Sequence, residues 1–97
     1  MNETLMELRP VQSQHQKSFY GKALVLERNG ERILFSYGTP VAAIYGTGRV
    51  HRLWGKWSRT TGQHVYAFCG VGKREWDLLP VEQYQGNLSM FVAANPR

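Results

Sequence analysis

The chain has 97 residues, 42% hydrophobic and 12% aromatic, which suits one core and is short for two ordinary domains. A single cysteine, Cys69, excludes an internal disulfide and a cysteine-rich zinc site, and no apolar run approaches the roughly 20 residues that span a bilayer. Twelve Lys and Arg against seven Asp and Glu leave a net charge of +5, and the stretch Ile33–Gly72 contains no acidic residue. Arg49, Arg52, Lys56 and Arg59 lie inside that stretch, so a local cationic field is expected, suited to phosphates or to an acidic protein face.

Residues 1–16 read as an extended N-terminal arm or first strand, because Pro10 disfavours helical backbone at Arg9, and residues 17–97 as a single globular domain. Met1–Arg9 lacks the basic-then-apolar order of a signal peptide, so a cytoplasmic location is expected. Asn29-Gly30 between two apolar runs predicts a type I′ hairpin. A two-residue loop places Arg28 opposite Glu31, Glu27 opposite Arg32, Leu26 opposite Ile33 and Leu24 opposite Phe35. The last four share one core-facing side, while Val25 and Leu34 occupy a second, partly covered side.

Thr39-Pro40 is expected to break the second strand before Val41–Tyr45 resumes a β-like run. Gly46-Thr47-Gly48 then predicts a turn that sets Ile44 opposite Val50. Arg52 and Trp54 point the same way as Val50, with His51 and Leu53 opposite. Ser58 is placed to cap a helix running to Cys69, in which Val65, Phe68 and Cys69 face the sheet, Arg59 and Gln63 face water, and Gly70 provides the stop. Gly62 weakens this helix by about 1 kcal/mol relative to alanine and signals close packing or simple tolerance. A short helix over Lys73–Leu79 ends before Pro80, and Leu88–Ala94 reads as a last strand. The expected fold is therefore α+β: a small twisted antiparallel sheet of two hairpins plus a C-terminal strand, one main helix packed on it and a short second helix. Closure of the two halves into a barrel is the alternative.

Little here suits catalysis. His64 and Cys69 are five apart on one helix and diverge by about 140°, so they make no thiolate–imidazole pair within it. Ser58, His64 and Asp77 form a triad on paper only, since a serine at a helix start usually caps it. His15, His51 and His64 lack metal-ligand spacing, and no catalytic residue, metal or cofactor is assigned. Gly46-Thr47-Gly48-Arg49 lacks the lysine and strand–loop–helix setting of a phosphate-binding loop. What remains is the run of Arg49, His51, Arg52, Trp54, Lys56, Trp57 and Arg59, where cations alternate with large rings. Such a surface meets backbone phosphates and stacks on bases. Against this stands a structural role for the tryptophans as core anchors, with the cations solvating their rim.

Four blocks carry a family resemblance: Lys17-Ser18-Phe19-Tyr20-Gly21-Lys22-Ala23, then Ser36-Tyr37-Gly38-Thr39-Pro40-Val41-Ala42-Ala43-Ile44, then Trp57-Ser58-Arg59-Thr60-Thr61 with His64, Val65 and Phe68, and finally Lys73-Arg74-Glu75-Trp76-Asp77-Leu78-Leu79-Pro80-Val81-Glu82. Together they resemble a family of short, functionally uncharacterised proteins of bacteria, phages and mobile elements. Trp57, Arg59 and Gly62 depart from that family's pattern, whereas Ser58, Thr60, Thr61 and His64 follow it. The resemblance implies a setting rich in nucleic-acid transactions and host antagonism, and it brings no catalytic residues with it.

The expected function is non-catalytic binding of nucleic acid through the basic and aromatic surface. The alternative is a protein-interaction module or inhibitor of a host protein, and a remote third is an enzyme using His64 or Cys69. No membrane partner is expected, and an unpaired strand edge would permit a homodimer.

Overall fold

Asn29 and Gly30 adopt φ of 50° and 77°, the left-handed pair that a type I′ turn requires. In the computed structural model, which describes residues 3–84, they join strand β2 (Ala23–Arg28) to β3 (Glu31–Ser36). The register is the one the two-residue loop predicts: Arg28 faces Glu31, Glu27 faces Arg32, Leu26 faces Ile33 and Leu24 faces Phe35. Arg32 and Glu27 form an ion pair at 3.2 Å across the strands.

A second tight turn follows, at Tyr37-Gly38 with φ of 52° and 81°, and not the break expected at Thr39-Pro40. Strand β4 (Thr39–Ile44) starts directly after it, with Ser36 opposite Thr39. Pro40 is accommodated because the ladder shifts at Leu34/Phe35: Phe35 pairs with Pro40 and Leu34 with Ala42, leaving Val41 as the extra residue of a bulge. Val41 and Ala42 thereby enter the same core cluster although they are consecutive. Strand β5 (Val50–Arg52) returns with Ile44 opposite Val50, as expected from the glycine turn, and Gly48 there has φ of 83°.

The N-terminal segment is built into the fold. Glu3–Glu7 forms strand β1, antiparallel to β2 with Leu5 opposite Leu26, so the described sheet is a five-stranded meander in the order β1-β2-β3-β4-β5. A 3₁₀ turn, Gln12–Gln14, then carries Gln14 onto the main helix, where its Nε2 donates to the Gln63 carbonyl at 2.9 Å.

Helix α1 (Arg59–Cys69) is capped by Ser58, whose hydroxyl accepts from the Thr61 amide at 3.1 Å, and ends at Gly70 with φ of 76°. It covers the sheet face of Val25, Leu34, Val41 and Ala42 with Val65 and Phe68, while Cys69 is only partly buried. Helix α2 (Lys73–Leu78) supplies Trp76, fully buried in the same cluster, and Pro80 follows it. Leu26, Ile33, Phe35 and Ala43 form a second buried cluster on the opposite face, with Leu24, Tyr45, Leu53 and Tyr84 against it. The two faces assigned to the hairpin from sequence are thus both core, and α1 takes the Val25/Leu34 side. The C-terminal strand expected over Leu88–Ala94 lies outside the described residues. Among the described residues no helix is long and apolar enough to cross a membrane.

Candidate functional site

Strand β5 distributes the seven candidate residues in different directions. Arg49 is exposed in the turn before the strand, whereas Lys56, Trp57 and Arg59 follow its other end. Between them the side chains alternate across the sheet. His51 faces the second cluster, stacked on Tyr45 with ring centroids 4.2 Å apart and with Nδ1 2.8 Å from a Glu82 carboxylate oxygen. This contact is part of a strap in which the Glu82 amide donates to the Arg52 carbonyl at 2.7 Å and the Tyr84 hydroxyl donates to Glu31 at 2.7 Å.

Arg52 turns to the α1 side and is 8% exposed. Its Nη1 donates to the carbonyls of Trp76 at 2.8 Å and Leu79 at 3.1 Å, its Nη2 to Gly55 at 3.0 Å and its Nε to Trp54 at 3.0 Å. The guanidinium also lies 5.2 Å from the centroid of the Trp76 ring. The expectation that Arg52 meets a phosphate is therefore corrected. Its N–H groups are committed to the C-terminal carbonyls of α2 and to the 54–55 loop, which holds α2 in place.

Trp54 and Trp57 are both partly buried against the first core cluster, so both anchor the corner between sheet and helix. Trp57 lies on Gly62: a β-carbon there would overlap the ring, reaching 2.7 Å from Cε2. The glycine thus reflects close packing. Trp57 also tilts toward Trp76 with centroids 6.1 Å apart, and the Trp76 indole donates to the Lys56 carbonyl at 3.0 Å. The side chains of Lys56 and Arg59 remain exposed, with no ion-pair partner among the described residues.

Alongside Trp57 an open groove runs over α1, lined by Gln14, Arg59, Gly62, Gln63 and Tyr66. Tyr66 is 42% exposed. Sequence reasoning missed Tyr66 and Gln14. Arg59, Gln63 and Tyr66 recur at i, i+4 and i+7, a stripe legible in the sequence once the helix is placed. Gln14 arrives from a distant segment, for which there was no local signal. The surface that survives is the Lys56–Trp57–Arg59 edge joined to this groove, without Arg49, His51 or Arg52.

His64 and Cys69 lie away from it. His64 is 1% exposed, with Nδ1 2.8 Å from the Ser36 hydroxyl, which is itself 2.9 Å from Thr61 Oγ1. The Phe19 ring meets the imidazole edge-on at 4.5 Å between centroids. Burial lowers the imidazole pKa to about 4, so His64 is neutral at pH 7. The Cys69 thiol donates to the Val65 carbonyl at 3.3 Å, and burial raises its pKa. No group of three or more His, Cys, Asp or Glu is placed to hold a metal ion among the described residues.

Neither the curated proteins nor the solved structures contain a match to the chain. A family model does match, over residues 6–85, from β1 through the strap that follows α2. The chain accordingly belongs to a family of unknown function, DUF8033.

Proposed function

We propose that the protein is a small non-catalytic binder of nucleic acid, acting through the Lys56–Trp57–Arg59 edge and the adjoining face of α1. The observation that carries this reading is the pair of exposed cations, without an ion-pair partner among the described residues, that flank a fixed tryptophan within a stretch of sequence free of carboxylates. Cations so placed meet backbone phosphates, and rings beside them accept bases. The buried His64 and the raised pKa of Cys69 support binding over chemistry, because a nucleophile or general base must reach its substrate. A cytoplasmic setting in a phage or mobile element is part of the same proposal.

Measuring binding of the full chain to DNA and RNA oligonucleotides across a salt series tests it. Affinity is expected to fall as salt rises, and Lys56→Ala with Arg59→Ala is expected to weaken binding at every salt concentration. No binding to either polymer at low salt sinks the proposal. A second reading, a protein-docking site, draws on Trp57, Tyr66 and Arg59 lining one groove, since Trp, Tyr and Arg dominate binding hot spots.

A further inference from the structure

Resting on the nucleic-acid reading above, we infer that the groove over α1 receives an unpaired base, so that the protein prefers single-stranded to double-stranded nucleic acid. The side chains of Arg59, Gln63 and Tyr66 share one stripe of the helix, and none has a hydrogen-bond or ion-pair partner among the described residues. The opposite face of α1, with Thr61, Val65 and Phe68, is buried. The groove therefore presents a ring, an amide and a guanidinium in sequence, over about 10 Å of helix.

Two fixed walls shape it. Trp57 is seated against Gly62 on one side. Gln14 forms another wall, its amide held at both ends: Nε2 donates to the Gln63 carbonyl and Oε1 accepts from the Val11 amide, both at 2.9 Å. An open groove walled by two side chains does not present α1 as the protruding recognition helix that enters a major groove. It suits a flat, splayed-out group. Tyr66 offers the phenol face, the free Gln63 amide supplies one donor and one acceptor group for a base edge, and Arg59 reaches the neighbouring phosphate. Among the described residues no carboxylate side chain lines the groove, and the nearest one at its edge, Glu75, accepts from the Gly72 amide at 3.1 Å. A duplex keeps its bases stacked, so only the few cationic contacts would remain to it.

Anisotropy titrations of the full chain with a labelled single strand and with its duplex, at matched low salt, test this inference. The single strand is expected to bind at least about tenfold more tightly, given the usual strength of base–aromatic stacking. Tyr66→Ala is expected to lose about tenfold on the single strand and little on the duplex, while Tyr66→Phe retains affinity because the ring persists. The strand preference of the unaltered protein requires no variant, and the exposed Tyr66 site leaves the fold intact, to be verified by an unchanged thermal midpoint. Equal affinity for the two forms, or a Tyr66→Ala variant that binds as before, overturns the base-stacking inference and leaves nucleic-acid binding standing. Binding of neither form overturns both.

Discussion

At pH 7 the His64 imidazole is neutral because protonating it would place a charge among Phe19, Ser36 and Thr61 with almost no water in reach. Its folded pKa of about 4 lies below the ordinary 6.5, so the proton binds more tightly to the unfolded chain. The contribution to stability is full above pH 6.5 and declines as pH falls toward 4, by about 3 kcal/mol across that window. Thermal melts of the protein and of His64→Gln at steps from pH 7.5 to pH 4 check this: the difference between the two curves should shrink as pH falls, and a constant difference refutes it. Ser36→Ala strands two buried polar partners, so it is expected to cost about 1–3 kcal/mol in denaturant unfolding. Arg52 obeys the same rule with a charge. Removing it leaves the carbonyls of Trp54, Gly55, Trp76 and Leu79 short of a donor, and Arg52→Ala should cost about 3 kcal/mol or more. Lysine does not restore the loss, since an ammonium cannot reproduce the planar fork. A loss of ligand binding in an Arg52 variant therefore reports folding before it reports contact.

Between Trp57 and α1 two effects oppose each other at Gly62. Alanine there raises helix propensity by about 1 kcal/mol, yet its β-carbon overlaps the Trp57 ring, and overpacking costs about 1–3 kcal/mol. The clash is expected to win: Gly62→Ala lowers stability, while the same change in a Trp57→Leu background is neutral or favourable. A double-mutant cycle by denaturant unfolding measures that coupling, and additive effects would show that Trp57 does not rest on the glycine. The sequence left Gly62 open between close packing and simple tolerance and named no partner, because Trp57 and Gly62 meet only after the Ser58 cap sets the angle of α1. Where local chemistry decides, the sequence was legible. Asn29-Gly30 fixed a register that the structure reproduces, and Ser58 and Gly70 bounded the helix. Tyr37-Gly38 escaped because tyrosine seldom takes positive φ, and Pro40 drew the break to itself although the bulge absorbs it. The fate of Arg52 was illegible, since its carbonyl partners at Trp76 and Leu79 lie on α2 and at its C-cap, remote in sequence.

Across the whole molecule the carboxylates lie outside α1. Glu3, Glu7, Glu27 and Glu31 stand on β1 to β3, where Glu3 pairs with Arg28 and Glu27 with Arg32, Glu75 and Asp77 stand on α2 and Glu82 on the strap, while α1 itself holds no acidic residue. Net charge therefore understates the local field at Lys56 and Arg59 and says nothing about which cations act together. Arg49 has the same charge and similar exposure, but it sits before β5 while Lys56 and Arg59 follow it, on the side where the groove lies. If phosphates are met at the α1 edge, the three arginine and lysine positions must differ in a salt titration. Each phosphate contact to a single strand contributes about 0.7 to the slope of log affinity against log salt. Lys56→Ala with Arg59→Ala should flatten that slope by about 1.4, and Arg49→Ala should leave both slope and affinity within about twofold of the unaltered protein. Equal flattening by the Arg49 variant would mean that binding follows the total charge and has no address on α1.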